Sequence, residues 1–292
     1  MKRLPLMLVG IVAFGDQAAA DLNVEWGNPE AVAIIGYSGP SEDPFLAPYN
    51  NIMLFDSHTD DPTIPSKIFQ AYRLDYKTFL ILGEVQGVNI PGASQGSPNI
   101  DAFGNFYFQT NAFYTQNLMT SYRGTFNGGV VTNVTPVFGI SRLQPYWVTM
   151  EAEISGDGNT LIFGDFHFDP NLPLSSSQLV FAVRNSDGSF TRVPNSDQVL
   201  ANVNALGATV YNGILSWDGL ELYFTMLNPE PAGPQIYVAK RNAPTEPFGV
   251  PQLIFAAGNM VESGSLSPDG KHLYYHRVLG PSDAQIHVVT RP

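Results

Sequence analysis

Four carboxylates and three histidines recur at comparable places along this 292-residue chain. Glu42 (with Asp43 beside it), Glu151 and Glu262 each stand a similar distance ahead of a short apolar triplet. His58 and His167 occupy cognate places in two similar segments, Asp56-Ser-His-Thr-Asp-Asp-Pro62 and Asp165-Phe-His-Phe-Asp-Pro170, and His276 falls near that place in a third. Two kinds of chemistry suit such a set. Imidazole and carboxylate together suit a divalent cation, with His58, His167 and His276 as the candidate ligands. No tight spacing such as H-x-x-x-H reinforces that reading, and no cofactor is expected beyond such a cation. A carboxylate pair, one acid and one base or nucleophile, suits glycoside hydrolysis, with Glu42, Asp43, Glu151 and Glu262 as the candidates. A plainer role competes with both: a Glu at a strand start can accept hydrogen bonds from a neighbouring backbone.

Other chemistries find no footing. There is no cysteine, which removes disulfides, thiolate zinc sites and a thiol nucleophile. No G-x-S-x-G stands before a helix. Gly128-Gly129 and the Gly92 to Gly96 stretch lack the lysine and the strand–loop–helix setting of a phosphate cradle. The formal net charge of −12 argues against nucleic acid, because a phosphate backbone needs a basic footprint.

The elements that must position these residues form a repeat. Glu153-Ile-Ser-Gly-Asp-Gly-Asn-Thr-Leu-Ile-Phe163, Ile214-Leu-Ser-Trp-Asp-Gly-Leu-Glu-Leu-Tyr-Phe224 and Glu262-Ser-Gly-Ser-Leu-Ser-Pro-Asp-Gly-Lys-His-Leu-Tyr-Tyr275 share one grammar: strand, Asp-Gly turn, aromatic strand. Each continues into a loop and a strand ending in arginine, at Arg184, Arg241 and Arg291. Two weaker copies end at Arg73 and Arg123, with Asn50-Asn51 and Phe103-Gly104 in place of Asp-Gly. The apolar triplets begin at Met53, Phe106, Leu161, Leu222 and Leu273, a period of about 51 to 61 residues that suits propeller blades better than helical repeats. Asp-Gly predicts a two-residue type I′ hairpin turn with positive φ at both central residues. Alternating apolar residues on either side predict half-buried strand pairs.

The fourth copy adds a segment, Phe248-Gly-Val-Pro-Gln-Leu-Ile254, that the fifth lacks; Trp26-Gly-Asn-Pro-Glu-Ala-Val32 near the start resembles it. The expected fold is therefore all-β: a five-bladed propeller of four-stranded antiparallel blades, the last closed by the N-terminal strand. In that ring the first-strand starts and the loops after the second strands meet at one mouth. Glu42, Glu151 and Glu262 fall there, whereas the second and fourth blades offer Gly96 and Tyr211.

The stretch Leu266 to Tyr275, with Leu215 to Phe224 and Ile154 to Phe163 behind it, resembles the WD40-like PD40 repeat of the TolB propeller family. The resemblance covers the C-terminal half and implies fold more than function. TolB has six such blades and a separate N-terminal domain, so its role is not carried over. Five-bladed propellers of arabinanase and fructosidase type use carboxylates near the axis, which keeps hydrolysis open.

Lys2-Arg3, the apolar run Leu4 to Phe14 and Ala18-Ala19-Ala20 follow the order of a secretory signal peptide. The expectation is residues 1–20 as signal and 21–292 as one propeller domain, in the periplasm or secreted, without membrane insertion and monomeric. The functional expectation is a binding module for protein, peptide or glycan at the mouth. The alternative is a carboxylate-dependent glycoside hydrolase or lyase.

Overall fold

The computed structural model describes residues 26–57, 63–168, 176–207, 209–229, 231–280 and 283–292. Residues 1–20, where the sequence leads one to expect a signal peptide, and His58 lie outside them. The described chain builds five antiparallel sheets of four strands, each meandering outward from an innermost first strand. Blade 1 comprises Glu42–Leu46, Ile52–Asp56, Ile68–Arg73 and Thr78–Glu84. Blade 2 comprises Gln95–Ile100, Asn105–Thr110, Ser121–Asn127 and Val130–Pro136. Blade 3 comprises Trp147–Ile154, Thr160–His167, Ser176–Arg184 and Phe190–Arg192. Blade 4 comprises Val210–Leu215, Glu221–Leu227, Pro234–Lys240 and Gln252–Leu253. Blade 5 has Val261–Leu266, His272–Gly280 and Asp283–Thr290, and its fourth strand is Glu30–Ala31 from the N-terminal end, in register Glu30↔Val288 and Ala31↔His287.

The borrowed strand closes the ring as the repeat predicts. Gly27 N–H donates to Thr290 O at 2.7 Å, and Trp26 lays its ring edge-on to Tyr223 and beneath the Arg291 guanidinium. One detail goes beyond the expectation. After closing blade 5 the chain crosses to blade 1, where Ala33–Ile35 adds a fifth, parallel strand against Thr78–Glu84. A single segment thus ties the first blade to the last.

The core differs from the alternating pattern expected. Every triplet on a second strand is buried throughout: Met53-Leu54-Phe55, Phe106-Tyr107-Phe108, Leu161-Ile162-Phe163, Leu222-Tyr223-Phe224 and Leu273-Tyr274-Tyr275. Both faces of a blade pack on neighbours, so both faces must be apolar, as in any sheet covered on two sides. In each triplet the outer two residues join the cluster toward the preceding blade, and the middle one joins the cluster toward the next. Five clusters result, one per blade interface, and the cluster of Met53 and Phe55 with Tyr274, Ile286 and Val288 is the closing one.

The hairpin turns also depart from type I′. Ser155, Ser216 and Ser267 each open a four-residue connection in which φ is positive at Gly158, Gly219 and Gly270 but not at the preceding aspartate. The aspartate carboxylate closes the turn instead. Asp157, Asp218 and Asp269 accept from the serine hydroxyl at 2.5, 2.6 and 2.5 Å and from the backbone N–H two residues on at 3.1, 3.0 and 3.1 Å. The aspartate is an Asx-type brace, and the glycine alone needs the left-handed conformation. The strand-end arginines lock these turns: Arg241 Nε donates to Gly219 O at 2.8 Å, and Arg184 and Arg291 bond the carbonyls of Gly158 and Gly270.

Candidate functional site

Each innermost strand carries a β-bulge at the same place. The register skips between Glu42 and Phe45, Gly96 and Asn99, Met150 and Glu153, Tyr211 and Ile214, and Ser263 and Ser265. The first bulged residue has positive φ in four blades: Asp43 (45°), Ser97 (49°), Glu151 (53°) and Asn212 (50°). Non-glycine residues adopt that conformation at a cost of about 1–2 kcal/mol. Asp and Asn tolerate it best, and a bulge re-aims the side chain it carries. Here it turns Asp43, Ser97, Glu151 and Asn212 into one ring around the axis. Above that ring stand Glu42, Gly96, Met150, Tyr211 and Glu262, whose second-strand partners are Asp56, Gln109, Gly164, Thr225 and His276.

The two tiers open into a cavity of about 660 Å³, lined by Glu42, Asp43, Asp56, Glu151, Glu262 and His276 among others. The four predicted carboxylates therefore converge. They are held by donors rather than by arginines. Glu151 Oε2 accepts the backbone N–H of Asn212 at 3.0 Å, and Asn212 Nδ2 reaches Glu262 Oε2 at 3.5 Å. Asp43 accepts from Ser97 Oγ at 2.9 Å, and Asp56 accepts from Ser97 N–H at 3.0 Å. These bonds cross from blade to blade, so the tying role of a strand-start glutamate is present in Glu151.

His276 is 2 % exposed and sits at the centre of this network. The Asp43 backbone N–H donates to its Nδ1 at 3.2 Å, which assigns the ring proton to Nε2. That Nε2 stands 3.9 Å from Oε2 of Glu42 and 3.9 Å from Oε2 of Glu262. The two carboxylates thus lie within about 8 Å of each other, inside the span used by carboxylate pairs that cleave glycosides. Burial, and then the charges of Asp43 and Glu262, push the Glu151 carboxyl well above the usual range. Burial likewise pushes up Glu153, two residues deeper in the axial channel, and the Tyr211 phenol, which Glu262 and Glu151 also raise.

Of the three candidate histidines, His167 and His276 are among the described residues, and they take different places. His276 is the cognate of Asp56, through the register Glu42↔Asp56 and Glu262↔His276, and lines the mouth. His167 ends a strand that runs longer than expected, and stacks on Trp147 at 4.6 Å, away from the residues that line the mouth. Among the described residues no group of three or more His, Asp or Glu is arranged to hold a metal ion.

Sequence reasoning missed Asp56, Ser97 and Asn212. Aligning the five copies on their triplets brings Asn212 into the column of Asp43 and Glu151, but puts Gly96 there in blade 2, because the turn from Ile100 to Phe106 is one residue shorter than its counterparts and shifts Ser97 out of the column. What no alignment reveals is the bulge, since nothing in the residue types announces positive φ at Glu151.

The molecule is thus a five-bladed β-propeller with a carboxylate-lined mouth. No protein-family model matches the chain, and no curated protein matches it significantly. Solved structures do. A glycoside hydrolase superposes with a TM-score of 0.61 at 10% identity, over 92% of this chain and 93% of that one. Zg3597, a family 117 glycoside hydrolase from Zobellia galactanivorans, superposes with a TM-score of 0.56 at 11% identity, over 91% and 90%. TolB from Acinetobacter baumannii is similar at 18% identity with a TM-score of 0.47, over 86% of this chain and 55% of the TolB chain, so this chain spans little more than half of that protein's length. At these identities the likeness is one of fold. Among the described residues no helix is long and apolar enough to cross a membrane.

Proposed function

We propose that the mouth is a glycan-binding site on an exported propeller, with residues 1–20 its leader and 21–292 its single domain. The observation that carries this reading is the open cavity of about 660 Å³, walled by oxygen acceptors from three blades. A sugar presents hydroxyl donors in several directions, and carboxylates are the strongest acceptors for them. Among the described residues, Tyr114 and His276 are the aromatic side chains that line the mouth. Its acceptors are pre-oriented by the bulges and by Asn212, Ser97 and His276, which lowers the ordering cost of binding. The test is a glycan array probed with the wild type and with Glu262→Gln. Retention of a glycan by the wild type, weakened about tenfold or more in the variant, supports the reading. An array on which the wild type retains nothing overturns it.

One observation favours hydrolysis at the same place. Glu151 lines the axis together with Asp43, and burial and the charges of Asp43 and Glu262 raise its carboxyl, the direction that suits a general acid paired with a separate carboxylate in glycoside cleavage. On this second reading Glu151 protonates the leaving oxygen. Glu151→Gln should then abolish release of reducing sugar while leaving retention on the array intact. Activity undiminished in Glu151→Gln rejects it.

A further inference from the structure

The strand-end arginines form a column that can be compared blade by blade. Arg291 forks onto Glu221 of the preceding blade, at 3.2 and 2.9 Å. Arg184 stands 3.6 Å from Asp101 of the preceding blade. Arg241 occupies the same place in blade 4, but the cognate of Glu221 in blade 3 is Thr160, since Glu221↔Lys240 and Thr160↔Val183 are equivalent pairs. Arg241 therefore has only neutral contacts: Gly219 O at 2.8 Å, Glu246 backbone O at 3.4 Å and the ring of Phe248 at 4.3 Å. Among the described residues no carboxylate lies within ion-pair distance of it. Burial depresses its pKa below the usual arginine value, as expected of a guanidinium without a counter-charge.

Arg241 lines a cavity of about 890 Å³ between blades 4 and 5, at the end of the ring opposite the mouth. Trp217 lines the same cavity and is 60% exposed. Its indole is pinned from one side by Gly156, where any Cβ would come within 2.0 Å of the ring. One side of the indole therefore rests on the Gly156 backbone while the rest of the side chain stays exposed. Lys240 and Arg291 also line the cavity and both pair with Glu221, which lines it together with Asp218 and Asp269, so among the described residues Arg241 is the lining cation outside that ion-pair network.

We propose that this cavity is a second binding site, for a uronate-bearing glycan, with the sugar ring against Trp217 and its carboxylate on Arg241. The absent partner at Thr160 leaves a forked, partly desolvated donor that matches a carboxylate. The flat apolar wall beside it matches a pyranose face, and the polar rim of Asn242, Asp218 and Asp269 matches its hydroxyls. This site is separate from the mouth and does not depend on the reading given to it.

The test is tryptophan fluorescence titration of the full chain with trigalacturonate, with neutral maltotriose and with triglycine. Trigalacturonate should bind, and maltotriose and triglycine should each bind at least about tenfold more weakly. Trp217→Ala should lower the affinity about tenfold, read by calorimetry. Thr160→Glu supplies the carboxylate that Arg291 already has, so it should occupy Arg241, stabilise the ring and block binding without removing any lining residue. Arg241→Gln serves as a second variant should Thr160→Glu misfold. Glu262→Gln, which weakens retention at the mouth, should bind trigalacturonate at this second site like the wild type. Absence of binding, equal binding of either control, unchanged affinity in Trp217→Ala or in a folded Thr160→Glu or Arg241→Gln, or loss of binding in Glu262→Gln would each overturn the proposal.

Discussion

The two ends of the propeller are built from the same strands and the same residue types, yet they treat carboxylates in opposite ways. At the turn end each described Asp-Gly aspartate is satisfied by a serine and by backbone donors, and Asp157, Asp187 and Asp269 are held below their ordinary range. Glu221 is the extreme case. Burial acts to raise it, but hydrogen bonds from Arg291, Tyr223 and Lys240 prevail and hold it at about 2. At the mouth the carboxylates face one another, have few cationic partners, and Glu151 is pushed up. Carboxylates at the turn end are held by cationic and backbone donors, whereas those at the mouth crowd against one another, the arrangement that perturbs carboxyl ionisation.

The contrast is broken most severely at Glu221. Glu221→Ala leaves Arg291 and Lys240 without their carboxylate, and loosens the turn that Trp26 and the closing strand rest on. We expect a loss of about 2–3 kcal/mol in urea unfolding at pH 7, at or just below the roughly 3–5 kcal/mol for a fully buried pair, because both side chains keep some exposure. The pH dependence has a definite sign. A depressed pKa contributes stability above the unfolded value and loses it as pH falls through about 2. The wild-type advantage over Glu221→Ala should therefore shrink between pH 4.5 and 2. An equal difference at pH 7 and pH 2.5 would show that packing, not charge, is responsible.

The mouth should behave in reverse. Glu151 and Glu153 have raised folded pKa values, so each lowers stability as pH rises past the unfolded value near 4.5. The double variant Glu151→Gln with Glu153→Gln should match the wild type at pH 4 and exceed it at pH 7.5, by about 1–2 kcal/mol in unfolding free energy. A destabilised double variant at pH 7.5 would mean that these carboxyls are held by bonds and not merely confined.

How much of this was legible in advance differs between the ends. The turn end was written in the chain, because Ser-x-Asp-Gly and the strand-final arginine recur at Ser155, Ser216 and Ser267. Even there the turn type was misjudged, since a side-chain brace can replace the positive φ of a type I′ aspartate. The mouth was legible only as a column of acidic residues. Convergence of Glu42, Asp43, Glu151 and Glu262 followed from counting back from the triplets, because a repeat carries equivalent positions to equivalent places. His276, which the sequence places near the column of His58 and His167, takes the register of Asp56, since loop length differs between blades while strand register does not. Asp56 read as a loop residue, although it ends a strand and is buried.

The turn brace allows a smaller test. Asp218→Ala removes an acceptor shared by Ser216 Oγ and Leu220 N–H, and should cost about 1 kcal/mol. Asp157→Ala and Asp269→Ala should cost about the same, because the bonding is repeated in each blade. Unequal losses in denaturant titration would show that the three turns are not equivalent.

The smallest effect on stability is expected at Asn212, and it separates strain from bonding. Its φ of 50° is one that glycine adopts freely, so Asn212→Gly relieves about 1 kcal/mol of backbone strain. The same change deletes the long Nδ2 contact to Glu262, worth less than a well-formed hydrogen bond, while the backbone N–H to Glu151 Oε2 remains. The two effects oppose, and the melting temperature should move little in either direction. Glycan retention at the mouth should fall nonetheless, because Glu262 loses the side chain that orients it. If Asn212→Gly instead retains glycan like the wild type, the bulge ring is a device for closing the propeller and the contrast between its two ends is one of packing alone.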